Sequence, residues 1–152
     1  MTLENTLRQQ LSSPEPGGFH VAADGWEITI VAEKKDSLGC ALGELTLEKS
    51  APIKEELRAW ATRIADTATG LLEPLRIVEV DTPLGKALLR SEAPTRKDGK
   101  AFYYELLLSR GSGASASLRR YAGQNAEKRE AVSFVLTHDA IAKLAADIVG
   151  AN

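Results

Sequence analysis

The stretch LSRGSGASASLRRYAG, residues 108–123, decides the fold. It sets three glycines and four serines beside an arginine pair and a tyrosine, so it is either a phosphate-cradling loop or the tip of a hairpin. A phosphate loop needs a strand, a glycine-rich turn and then a helix whose first amides face the anion. No lysine follows the glycines, the third glycine of a dinucleotide fingerprint is replaced by Ala116, and LRRY does not begin an amphipathic helix. The hairpin reading makes a register instead. With Gly111-Ser112-Gly113 as a three-residue loop and Gly113 left-handed, Leu108 faces Ala116, Leu106 faces Leu118 and Phe102 faces Ala122 on one side. On the other side Glu105 faces Arg119 and Tyr103 faces Tyr121. A two-residue loop sets Glu105 against Leu118 and breaks both faces, so alternation selects the three-residue register.

Similar patterns extend outward in both directions. FHVAADGWEITIVAE (19–33) is a second hairpin, with Asp24-Gly25 suited to a turn that needs positive φ twice. That turn pairs Phe19 with Ile30, Val21 with Ile28 and Ala23 with Trp26, and sets His20 against Thr29 on the other face. A third strand spans 39–48, its alternation putting Gly39, Ala41, Gly43, Leu45 and Leu47 on one side. Further strands are expected at 75–81, 86–92, 101–109, 114–121 and 131–136. Helices are expected at 52–69, with Pro52 in its first turn and Gly70 as its stop, and at 138–149, with Thr137 as cap and Gly150 as stop. Near the start, Thr2 caps a short helix with Leu3, Leu7 and Leu11 on one stripe, and SSPEPGG (12–18) breaks it. The expected architecture is α+β: antiparallel sheet with helices on one face, a loose duplication of strands followed by one helix, residues 1–18 as an N-terminal helical arm and linker, and 19–152 as one domain.

Composition limits the function. A chain of 152 residues with net charge −2 is sized for one core and carries no overall basic excess for nucleic acid or membrane. Cys40 is the only cysteine, which excludes an internal disulfide and a multi-thiolate zinc site. No apolar run approaches the roughly 20 residues of a membrane span, and MTLENTLRQQ lacks the pattern of a secretory signal, so a soluble cytoplasmic protein is expected.

No catalytic constellation emerges. His20 reads as a solvated strand residue, His138 as the first residue of a helix and Cys40 as a structural thiol; no elbow, metal or cofactor motif is legible. Trp26 and Trp60 fall on apolar faces. Two surfaces remain. The stripe Ile53, Leu57, Trp60 and Ile64 could form a seam with a partner or a second copy. Residues 85–130 hold ten Lys/Arg against five Asp/Glu, and there Arg96, Lys97, Lys100, Arg119, Lys128 and Arg129 lie among Tyr103 and Tyr121, side chains on which bases can stack.

In its order of elements (helix, three strands, helix, further strands, helix) the chain resembles the small acidic chaperones of type III secretion. That resemblance implies a non-catalytic homodimer engaging an extended segment of an exported protein. Residues 101–149, strands followed by a helix with tyrosines on the sheet, also look like the repeat of PUR-type single-strand-binding proteins. The expected function is therefore a non-catalytic, chaperone-like protein that binds a protein or peptide partner as a homodimer, without cofactor or membrane. The second expectation is a single-stranded nucleic-acid or polyanion binder using the 85–130 surface.

Overall fold

The computed structural model describes residues 2–12, 19–124 and 128–152. Among these residues the fold is α+β: three helices and one antiparallel sheet of ten strands that does not close into a barrel. Helix α1 spans Leu3–Leu11; the strands β1 (Phe19–Ala23), β2 (Trp26–Lys35) and β3 (Gly39–Lys49) form a meander that leads into α2 (Leu57–Thr67). A second meander follows: β4 (Leu75–Asp81), β5 (Lys86–Ser91), β6 (Thr95–Lys97), β7 (Lys100–Arg110) and β8 (Ala114–Gly123). The chain closes with β9 (Arg129–Val132), β10 (Phe134–Thr137) and α3 (His138–Val149). The two meanders join edge to edge, β3 beside β8, giving the order β1-β2-β3-β8-β7-β5-β4.

Turn chemistry and alternation account for both hairpins. Asp24 and Gly25 have φ of 53° and 81°, and the pairs Phe19↔Ile30, Val21↔Ile28 and Ala23↔Trp26 all form. Across β7–β8 the three-residue register holds from Phe102↔Ala122 to Arg110↔Ala114. Gly113, however, is not left-handed. Its requirement is proximity: a Cβ there would lie 2.4 Å from the Lys49 carbonyl oxygen, at the end of β3. Gly111 in the same loop meets nothing within 4 Å. Gly113→Ala is therefore expected to cost about 1–3 kcal/mol, as overpacking does, while Gly111→Ala is neutral or stabilises by up to about 1 kcal/mol through the unfolded chain. Thermal unfolding of the pair checks this; equal midpoints would contradict the close approach.

Past Leu45↔Leu118 the strands β3 and β8 part. The chain fills the fork: β9 runs along β8 to Val132↔Arg120, turns at Ser133, and β10 runs out along β3 from Phe134↔Leu42 to Thr137↔Gly39. The expected strand at 131–136 is thus two strands bonded to different neighbours. Two register shifts in β2–β3, between Val31 and Lys34, also move β3 out of phase. Cys40 and Leu42 are buried with Leu45 and Leu47, in place of the expected Gly39, Ala41 and Gly43; bulges change which residues face inward. A second Asp-Gly turn, Asp98-Gly99 with φ of 54° and 75°, makes β6–β7 a hairpin where a loop was expected for 96–100.

All three helices lie on one side of the sheet. Leu3, Leu7 and Leu11 of α1 are buried in the same core as Trp26, Leu45, Leu118 and Ile148, and α1 packs against α3 and β1. The linker expected at 12–18 falls, apart from Ser12, outside the described residues. Thr137 caps α3 by accepting from the Ala140 amide at 3.0 Å. Helix α2 begins five residues later than the expected 52. A helix from Pro52 would send the carbonyls of Ile53 and Glu55 to amides four residues on. Arg110 instead donates to the Glu55 carbonyl at 2.6 Å and to that of Ile53 at 3.5 Å, and the Glu55 amide donates to Asn152 at 3.0 Å. The segment stays outside the helix, yet Ile53 still reaches the core.

Candidate binding face of the sheet

Antiparallel registers sort the side chains into two faces. One row across the centre of the helix-covered face runs Leu45, Leu118, Leu106, Leu89, and all four are buried. The next row on the opposite face runs Thr29, Thr46, Ser117, Leu107, Leu88. No helix packs against this second face among the described residues. Leu107, at its centre, is 49% exposed, and Val31 is 51% exposed.

One step along the strands from Leu107 lies a charged and aromatic cluster. Glu105 accepts from Arg90 at 2.6 and 2.8 Å and from Arg129 at 2.7 Å. Arg129 lies 3.8 Å above the centre of the Tyr121 ring, Tyr121 is 6.1 Å from Tyr103, and Arg90 is 5.5 Å from the centre of the Tyr103 ring. Register sets Glu105 opposite Arg119, but the two do not form the ion pair: Arg119 bonds to Glu44 on β3. Burial lowers the Arg129 pKa, but its hydrogen bonds to Glu105 and the Tyr103 hydroxyl outweigh that and raise it overall. Between Leu88, Leu107, Ser117, Tyr121, the arginines Arg119 and Arg129 and the carboxylate of Glu105 lies a cleft of about 330 Å³, near the lower size for a small binding site.

The structure separates the other expected site residues. Ile53, Leu57, Trp60 and Ile64 share one face as expected but are all buried in this chain's own core, so they offer no surface to a partner. Trp26 and Trp60 are 6.3 Å apart in the core, and Trp60 donates to the Ile148 carbonyl at 2.8 Å. Of the basic set, Arg119, Arg129, Tyr103 and Tyr121 come together; Arg96, Lys97 and Lys100 lie on the β6–β7 hairpin, with Lys100 3.6 Å from Glu130. Lys128 lines a separate hollow with Lys100 and Gly123. Tyr103 is only 9% exposed, so the expected stacking platform is closed by its own arginines.

The glycine–serine loop borders a groove of about 550 Å³ with Lys49, Lys86 and Leu84. Gly113 leads into a strand, so no helix terminus faces that groove. His20 bonds to Thr29 at 3.2 Å on the outer face, and His138 is buried at the start of α3, its Nε2 without a partner among the described residues. Burial raises the Cys40 pKa. Asp36 is held low by the amides of Leu38 and Gly39. Among the described residues no group of three or more potential metal ligands occurs, and no helix is long and apolar enough to cross a membrane.

A network that the sequence reading missed lies on the inner face. Arg120 and Glu73 pair through two bonds of 2.9 and 3.0 Å, both side chains under 10% exposed. Ser91 and Thr95 each donate to Glu73 at 2.7 Å, and Arg120 lies 4.2 Å from the centre of the Tyr104 ring. Its signal was present: Arg120 is two residues beyond inward Leu118, so alternation turns its charge into the core.

No family model, no curated protein and no solved structure matches this chain.

Proposed function

We propose that this chain is a non-catalytic binding protein that engages a protein or peptide partner across the uncovered face of its sheet. The observation that carries this reading is the asymmetry of the two layers. Helices take one face, while the other presents half-exposed Leu107 among hydroxyl side chains and paired charges. An apolar centre within a polar rim is the usual anatomy of a protein interface. The mixed charges fit a protein better than a polyanion: Glu44 and Glu105 leave a single positive charge in excess among Arg90, Arg119 and Arg129, too little for a run of phosphates. A homodimer through the α2 stripe is not part of the proposal, because that stripe is buried.

A photo-reactive side chain at Leu107 tests it, with one at Leu72 as control; Leu72 is 77% exposed and lies outside the sheet. The expected outcome is a dominant protein adduct from position 107 that Leu88→Lys abolishes and position 72 does not give. Equal adducts from both positions, or none from 107, would remove the reading.

The second reading, polyanion binding, draws on Arg96 and Lys97, exposed on a projecting hairpin without carboxylate partners among the described residues. It requires oligonucleotide binding that weakens steeply with salt and is lost in the double substitution Arg96→Ser, Lys97→Ser.

A further inference from the structure

We propose that the cleft beside Tyr121 takes a carboxylate side chain of an extended partner segment, and that Leu107 and Leu88 take the apolar side chain two residues away. The inference rests on the protein-binding reading and names the chemistry of the partner.

Charge is the first argument. Three guanidiniums, Arg90, Arg119 and Arg129, share two carboxylates, Glu44 and Glu105. The cluster therefore keeps one positive charge in excess, half sheltered by the Tyr121 ring and the leucine floor. A single carboxylate neutralises it, and guanidiniums bind carboxylates through short charge-assisted bonds. A phosphate would overshoot that charge. An ammonium would meet Arg119 and Arg129 in the lining of the cleft.

Spacing is the second. The row Arg119, Glu105, Arg90 and the row Ser117, Leu107, Leu88 are adjacent along the strands. Rows of one face are separated by two residues, roughly 6.8 Å. An extended segment lying along the strands repeats its side chains at the same distance. A carboxylate over the first row thus places the residue two positions away over Leu107. The expected motif is an acidic and an aliphatic residue with one residue between them, in either order. Charge complementarity and the exposed Leu107 favour this occupant over a second copy, whose own outer face puts Arg119 or Glu105 on the corresponding row.

The test is an NMR titration of the isotope-labelled full chain with capped seven-residue peptides carrying Glu-Thr-Leu or Leu-Thr-Glu among serines, each against the same peptide with Gln in place of Glu. The expected result is shifts centred on Leu107, Ser117, Tyr121 and the Arg129 side chain. Binding should weaken about tenfold or more for the glutamine form of the peptide and for Arg129→Gln, the usual loss for one charge-assisted bond. Arg119→Gln, at a more exposed position, repeats the test should Arg129→Gln disturb the fold. Outer-face shifts of equal size and affinity with the glutamate and glutamine forms overturn the carboxylate assignment and leave the protein-binding reading standing. Absence of outer-face shifts with every peptide overturns the proposal, and the adduct at position 107 then decides separately whether the reading falls with it.

Discussion

Arg120→Met is expected to cost about 3–5 kcal/mol of folding stability at neutral pH, the range for stranding one partner of a buried ion pair. Glu73 is 6% exposed, and Arg120 supplies both parallel hydrogen bonds and the countercharge. Ser91 and Thr95 would still donate to the carboxylate, but neither brings positive charge. The pH dependence identifies the cause. Burial pushes the Glu73 pKa up, but the bonds from Arg120, Thr95 and Ser91 together with the Arg120 charge outweigh it, so the net pKa is lowered. A carboxyl with a lowered folded pKa stabilises the fold above its unfolded value, near about 4.3, and loses that contribution as pH falls through the folded value. Without Arg120 two of its bonds and its charge are lost while the burial remains, so the carboxylate is held low less strongly and the variant has less to lose as the carboxyl protonates. Urea unfolding at pH 7 and pH 4 should show a large deficit that shrinks on acidification. A deficit independent of pH would mean that Arg120 acts through packing on Tyr104. Replacing both partners, Glu73→Leu with Arg120→Met, should cost less than either single change, because no charge is left buried.

Trp60→Ala should cost about 3–5 kcal/mol, as expected for deleting a large buried aromatic side chain. Trp60 is fully buried, packs on Trp26 and ties α2 to α3 through the Ile148 carbonyl. Trp60→Phe should cost only about 1–2 kcal/mol, because much of the apolar body remains and Arg63 also donates to that carbonyl at 3.0 Å. Denaturant midpoints at several protein concentrations separate a core role from a seam. A core residue gives the same deficit at every concentration; a residue between subunits gives a deficit that depends on it. Concentration dependence would restore α2 as an interface.

The strands of the sheet were legible because their signals are local. Asp24-Gly25 sets a turn whose twist suits two strands, and the leucines on either side of Gly111-Ser112-Gly113 tolerate one pairing only. The Asp98-Gly99 hairpin carried the same signal and was missed because its flanks, Arg96, Lys97 and Lys100, lack apolar alternation. The start of α2 was misplaced for a different reason. Pro52, the acidic pair Glu55 and Glu56 near the positive end of a helix, and the apolar stripe all favour a helix there, but a side chain 55 residues away, Arg110, captures the carbonyls.

Half of the candidate face was also legible. Period-two alternation placed Tyr103, Glu105, Arg119 and Tyr121 on one side, since strand side chains alternate whatever the neighbours. Their partners were not legible. Arg90 and Arg129 reach Glu105 from β5 and β9, and Glu44 reaches Arg119 from β3, because the order of strands brings them there.

The amino-acid order alone determined which residues alternate, where the chain reverses and that Arg120 points inward, because these follow from backbone sterics and a two-residue period. The tertiary structure decided that the α2 stripe is core, that Glu73 answers Arg120 and that one face of the sheet stays open. These depend on which segments become neighbours, and pairing between distant strands is set by the free energy of the whole packed chain rather than by any one segment.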